Sequence, residues 1–183
     1  LLFGAAFGMA LASKISIAPL VLLLPGAAAI WFVSLPSERR EQSIGPLLSK
    51  LAAAGVVAVL VFRICQPYAF SGPGFFGVVP NPRWVQNMRE IAAQNSGDID
   101  FPPQLQWARR PLWFSLQNQV IYGLGIPLGI AAWLGFLGMG WRILRGSAEE
   151  RRRYLLIWLF TGAYFAWQSI SVTRTMRYQM PTY

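Results

Sequence analysis

The chain contains no histidine, one cysteine and little charge: of its 183 residues only 13% are Asp, Glu, Lys or Arg. Each shortage removes a class of function. Without histidine or a second cysteine the chain lacks the usual His/Cys ligand sets, so a zinc or haem site is not expected, and Cys65 cannot close a disulfide within the chain. No phosphate-binding glycine loop of the Walker or dinucleotide type is present. Charge is scarcer than the roughly one residue in four of a soluble domain. With 55% hydrophobic residues and a mean hydropathy of +0.42, the chain is too apolar to furnish the polar surface of a small globule.

The distribution of the charges is more telling than their number. None occurs in Leu1–Ser13, Ile15–Ser37, Pro111–Trp141 or Tyr154–Thr173, and only Lys50 interrupts Gln42–Phe62. These gaps approach the length of a bilayer crossing, about 20 apolar residues rising 1.5 Å each. Lipid offers the backbone no hydrogen-bond partners, and the runs are continuous rather than alternating, so the crossings are helices and not barrel strands. The predicted fold is an all-α, polytopic transmembrane bundle of about five spans with a partly helical extracytoplasmic loop. Leu1–Ala12 has no positive n-region and more spans follow it, which argues against a signal peptide. Its start in mid-helix is that expected of an internal piece of a longer protein.

Orientation follows from the basic residues. Arg142–Arg153 holds five arginines in twelve residues between two closely spaced spans, which assigns it to the cytoplasm. Ser34–Lys50, with Arg39, Arg40 and Lys50, favours the same side. Residues 1–62 then carry three spans: Leu1–Ala12 outward, Ile15–Val33 inward and about Leu47–Phe62 outward. Residues 63–118 form an extracytoplasmic loop. Residues 119–172 carry two more spans, about Gln119–Trp141 inward and Tyr154–Val172 outward, and 173–183 is an extracytoplasmic tail. The net charge of +9 is mostly this cytoplasmic bias. Arginines that flank spans make no soluble basic face, so nucleic acid is not an expected partner. Gly123, Gly125, Gly129, Gly135, Gly138 and Gly140 crowd one span, where small residues allow close helix packing.

The loop is patterned. Asn81-Pro82 reads as an N-cap followed by proline at N1, and Gly97 occupies a C-cap position. Trp84, Val85, Met88, Ile91 and Ala92 recur at helical spacing between them. This predicts an amphipathic helix over 81–94, lying in the interface plane or on the spans. Trp107, Trp113 and Tyr122 suit an aromatic belt at the headgroup level.

On this topology Lys14, Arg63, Arg174 and Arg177 all fall at the outer membrane boundary. Each alone is equally a snorkelling cation that ends a helix. Four on the side that the positive-inside bias disfavours suit a second role, since ammonium and guanidinium groups at headgroup depth bind lipid phosphate or pyrophosphate.

Gly4-Ala-Ala-Phe-Gly-Met-Ala-Leu-Ala-Ser-Lys14 resembles the G-x-x-x-G-x-A-x-x-[ST]-K helix end of polyprenyl-phosphate-dependent glycosyltransferases of the C type. These include protein O-mannosyltransferases and aminoarabinose transferases. Arg174-Thr-Met-Arg-Tyr-Gln-Met-Pro181 resembles their R-Y-x-x-P element. Arg63 through Phe70, Asn81-Pro-Arg-Trp84, Asp98-Ile-Asp-Phe-Pro-Pro103 and Gln106-Trp107 are similar to a bacterial subgroup that uses a phospholipid carrier. The resemblance implies a plasma-membrane enzyme that transfers a sugar from a polyprenyl-phosphate donor at the outer face. By matching positions, Lys14 and Arg177 would hold the carrier phosphate and Tyr178 would shape its pocket. Arg63 and Arg174 are nominated by position alone. The catalytic acid would belong to a first outer loop upstream of Leu1. Asp98 and Asp100 read as turn and cap residues. No cofactor is implied within this stretch, although the family pattern accommodates a divalent metal in the full-length enzyme. Two other functions share the features: a transporter or flippase for a lipid-linked anion, and a non-catalytic membrane scaffold. A transporter usually carries repeats or mid-depth charge, and the sequence has neither.

Overall fold

The computed structural model describes residues 1–72, 74, 77–98, 102, 106–107 and 110–182, apart from the side chain of Met180. The protein is all-α and 83% helical. It divides into two compact units, Leu1–Met88 and Arg89–Tyr183.

In the first unit, helix α1 (Leu2–Ser13) ends where Lys14 turns extended (φ −157°, ψ 110°). A 3₁₀ stretch over Ile15–Leu22, with Pro19 inside it, leads into α2 (Leu23–Ser34). Helix α3 is Ser37–Cys65. α1 lies on α3 with the two helices parallel: Gly4 sits against the Ala54 backbone, and Gly8 against Ala58, Val61 and Phe62. A Cβ at Gly4 would lie 2.2 Å from the Ala54 carbonyl oxygen, and one at Gly8 2.5 Å from that of Ala58. Only glycine allows this approach, the small-residue packing that joins helices in lipid.

The charged segment expected to connect two spans is instead the beginning of α3. Glu38 occupies the first turn, where a carboxylate suits the helix dipole. Arg40 folds back and donates to the Leu35 and Val33 carbonyls (3.0 and 2.8 Å), satisfying groups at the end of α2. The α2–α3 connection shrinks to Leu35 and Pro36.

After α3 come a 3₁₀ turn (Pro67–Ala69) and a two-stranded antiparallel hairpin, β1 (Phe70–Ser71) and β2 (Val79–Pro80), in register Phe70↔Pro80 and Ser71↔Val79. The helix expected over 81–94 is α4, Pro82–Ser96. Asn81 caps it, its side-chain oxygen accepting from the Arg83 N–H at 3.0 Å. Gly97, at φ +86°, ends it in the left-handed conformation. Near its start, Trp84 packs edge-on against Phe62 of α3, ring centroids 6.2 Å apart.

In the second unit, α5 (Phe114–Asn118) runs into a π-helical turn, Gln119–Gly123. Helix α6 is Ile126–Arg145, α7 is Ala148–Ile170, and α8 (Met176–Gln179) continues as a 3₁₀ turn over Met180–Thr182. α6 and α7 form an antiparallel hairpin closed by a capping box. Ser147 Oγ accepts from the Glu150 N–H (3.2 Å), and Glu150 Oε2 accepts from the Ser147 N–H (3.0 Å). Aromatic stacking knits the pair, with Phe136 on Trp158 (5.2 Å) and Trp133 on Phe165 (4.9 Å). The Trp158 indole N–H donates to the Phe136 carbonyl at 2.9 Å, a partner it would lack in lipid.

Three helical stretches among the described residues are long and apolar enough to cross a membrane: Ile15–Ser34, Ser37–Cys65 and Ile126–Arg145. α1 has only 12 residues, and α7 opens on Glu149, Glu150 and Arg151–Arg153, so its apolar stretch begins only at Tyr154. The apolar helix expected to begin at Gln119 begins at Ile126. Gly125 adopts φ +78° and breaks the helix, and Val120 folds back against Gly129. The glycines expected to pack helices divide accordingly. Gly129 meets the Val120 backbone and Gly140 the Trp158 ring, whereas a Cβ at Gly135 or Gly138 would meet nothing within 4 Å.

Candidate functional site

The five residues nominated for a lipid phosphate are shared between the units. Lys14 and Arg63 belong to the first, and Arg174, Arg177 and Tyr178 to the second.

In the first unit the parallel register of α1 and α3 decides the arrangement. Pairing Gly4 with Ala54 and Gly8 with Ala58 carries the C-terminal end of α1 toward that of α3. Lys14, the half-buried C-cap of α1, and Arg63, in the last turn of α3, therefore lie at the same end of the pair. Arg63 is committed to the hairpin that follows. Its Nε donates to the Gly77 carbonyl (2.7 Å) and its Nη2 to that of Gly74 (3.3 Å), while the guanidinium lies 5.4 Å from the Phe70 ring centroid. Asn81 extends the clamp by donating to the Tyr68 carbonyl at 2.9 Å. Arg63 fastens the loop to the helix end, and a guanidinium retains further N–H groups beyond the two used here.

In the second unit Arg174 is likewise spent on backbone. Its Nε donates to the Ser171 carbonyl at 3.1 Å, and Nη1 donates to the Arg110 carbonyl. Arg177 is exposed on α8, and Tyr178 beside it is half-buried. The Tyr178 hydroxyl lies 3.4 Å from Asn95 Oδ1, and its carbonyl accepts from the Tyr164 hydroxyl at 3.1 Å. The R-Y-x-x-P element is thus a short helical tail latched onto α7. Asp98 behaves as a turn residue: it accepts from the Ser96 hydroxyl, and its N–H donates to the Ala93 carbonyl. Asp100, Phe101 and Pro103 lie outside the described residues.

No family model matches the chain, and no curated protein or solved structure matches it. The functional reading therefore rests on the chemistry of these side chains.

Sequence reasoning missed a set of buried polar side chains in the same unit, some of them linked to one another. Gln179, Ser115, Gln119, Thr173, Gln168 and Ser169 are all at least nine-tenths buried. Gln119 Nε2 donates to Thr182 Oγ1 (3.2 Å), which donates to the Gln179 carbonyl (2.6 Å), and Gln179 Nε2 donates to Ser169 Oγ (3.4 Å). Glutamine and serine in otherwise apolar helices were the available signal, since such residues inside a membrane bundle face one another or a ligand.

Proposed function

We propose that the chain is part of an integral-membrane glycosyltransferase of the C type, taking sugar from a polyprenyl-phosphate donor at the extracytoplasmic face. Five crossings are proposed with it: α1, Ile15–Ser34, α3, α6 and α7, alternating in direction. The parallel α1–α3 pair and the antiparallel α6–α7 pair are both compatible with that alternation. The observation that carries the reading is the shared end of α1 and α3. There Lys14, at the end of its glycine-bearing motif, stands with Arg63 and the clamped hairpin. Arg63 and Arg174 serve as positioning residues for the loop and tail, and the nominated phosphate ligands are those of the two motifs, Lys14 in the first unit and Arg177, with Tyr178, in the second. Cations at headgroup depth stabilise the charge left on the departing lipid phosphate, an electrostatic effect that grows as water is excluded.

Turnover of a polyprenyl-phosphate sugar by the full-length protein tests this. A charged contact with phosphate contributes about 1.5–3 kcal/mol. Lys14→Ala and Arg177→Ala should therefore each lower donor use by roughly ten- to a hundredfold. Arg177→Lys keeps the charge but loses the bidentate fork, and should fall between wild type and Arg177→Ala. Near-wild-type turnover by both alanine variants at matched expression overturns the proposal.

A further inference from the structure

The turn between α6 and α7 carries a collar of arginines. Arg142 and Arg145 end α6, and Arg151, Arg152 and Arg153 lie in the opening turns of α7. Set against Glu149 and Glu150, these five arginines leave Arg142–Arg153 with a net charge of +3. Tyr154 shows that the two helices bring them to one level, because the guanidinium carbons of Arg142 and Arg153 each stand 6.0 Å from its ring centroid. Arg145 lies over the Trp141 ring of its own helix at 4.8 Å. Just beyond this level both helices turn apolar and present Leu137, Trp141 and Ile157 as exposed side chains. We infer that the collar and the apolar faces beside it bind anionic phospholipid, with the phosphate on the arginines and the acyl chains along the helices.

Three observations select that occupant. The first is charge. Arg142 is paired with Glu150 (3.2 Å), and Arg152 Nε donates to the Ala148 carbonyl (3.2 Å). Arg145, Arg151 and Arg153 are exposed and meet no carboxylate among the described residues. Their planar forks match phosphate oxygens, and basic residues at the end of a membrane helix attract anionic headgroups. The second is the order of polar and apolar surface. No charged residue occurs in Ile126–Trp141, yet Trp141 is 60% exposed and Leu144, among the arginines, 78%. A soluble anion would leave both side chains in water, whereas a phospholipid covers the cations with its head and the apolar neighbours with its chains. The third is shape. Arg151, Arg152 and Arg153 follow one another at about 100° per residue and so fan over about 200° of α7. The face of a folded protein meets one side of such a fan, while lipids surround it. The inference rests on α6 and α7 lying in the bilayer, as proposed above, and not on sugar transfer.

Photolabelling of the full-length protein in phosphatidylcholine vesicles tests the inference. Two trace probes are compared, phosphatidylglycerol and phosphatidylcholine with matched chains, each carrying a diazirine beside its phosphate. The anionic probe should label residues 141–154 about fivefold more than the zwitterionic one, the factor expected of one arginine close to a charged lipid surface. Arg145→Gln, Arg151→Gln and Arg153→Gln together cancel the net charge of the turn and should bring the ratio to about one. Should that variant fail to elute as a folded species, salt at about 1 M takes its place. Screening then acts within about 3 Å, and the wild-type ratio should fall by at least half. Equal labelling by the two probes in the wild-type protein overturns the inference, and so does a ratio that survives both the neutral variant and salt. Protection of the arginines by soluble polyglutamate, without discrimination between the lipids, overturns it as well, because the turn then takes an acidic protein. Carbonate extraction separates the two readings. Release from the vesicles overturns the proposed crossings and this inference together, whereas a carbonate-resistant protein that does not discriminate overturns this inference alone.

Discussion

Replacing Gly4 with alanine adds one methyl group at the point where α1 touches α3. Its carbon would stand 2.2 Å from the Ala54 carbonyl oxygen, 3.0 Å from the carbonyl carbon and 3.2 Å from Cα. All three are backbone atoms of a helix, so no rotamer change relieves the clash. The helices must separate by more than about 1 Å to restore van der Waals distance, which sacrifices a large part of the dispersion energy along the contact. Overfilling of this kind costs about 1–3 kcal/mol, and the better helix propensity of alanine returns at most about 1 kcal/mol. The net loss is about 1–2 kcal/mol. For a chain of this size that lowers the melting temperature by about 2–8 °C. Gly55 on α3 supplies the internal control, because a Cβ there meets nothing within 4 Å. Gly55→Ala keeps only the propensity gain and should raise the midpoint by a few degrees, at about 2–4 °C per kcal/mol. The assay is thermal denaturation of purified protein in detergent, read as the fraction remaining monodisperse. Should Gly4→Ala and Gly55→Ala shift the midpoint in the same direction, the close α1–α3 contact, and with it the parallel register that aligns Lys14 with Arg63, is refuted.

Sidedness is open to a thiol test. With Cys65→Ala as background, Ala92→Cys on α4 should react with an impermeant maleimide in intact cells and Ala148→Cys at the start of α7 should not. The reverse pattern, or labelling of both, refutes the five-crossing topology. The capping box makes an energetic prediction: Ser147→Ala should destabilise the protein by about 1 kcal/mol, measured by the same denaturation assay. Arg142→Ala should cost less, about 0–1 kcal/mol, because the Arg142–Glu150 pair (3.2 Å) leaves the Arg142 side chain 63% exposed. A larger loss from Arg142→Ala than from Ser147→Ala would reverse the assigned roles.

Where the sequence was legible, the deciding physics was local. Asn81-Pro82 and Gly97 mark the ends of α4 because a cap depends on a few adjacent backbone groups and on φ at one residue. The connection between α2 and α3 was misread for a related reason. A charge run looks like a loop, but Arg40 reaches back to the carbonyls of α2 and lets Glu38–Lys50 continue as helix. The span expected from Gln119 went wrong at Gly125, a single positive-φ residue in an otherwise unbroken apolar run. Apolarity measures how readily a segment leaves water and says nothing about where its backbone turns.

From the sequence alone came the helical class, the presence of helices long and apolar enough to cross a membrane, and the helix after Asn81, with the cytoplasmic placement of Arg142–Arg153 as an expectation. All of these follow from composition and periodicity, which are properties of neighbouring residues. Only the tertiary structure decided that Arg63 and Arg174 donate to backbone carbonyls. It also decided that Gly4 and Gly8 serve a helix contact, and that Gln119, Thr182 and Gln179 meet although Gln119 is far from the other two along the chain. The physical reason is that hydrogen bonding and close packing are settled pairwise in space. A glutamine in an apolar run carries the same letters whether its amide is satisfied or, as at Gln119, keeps an acceptor without a partner among the described residues.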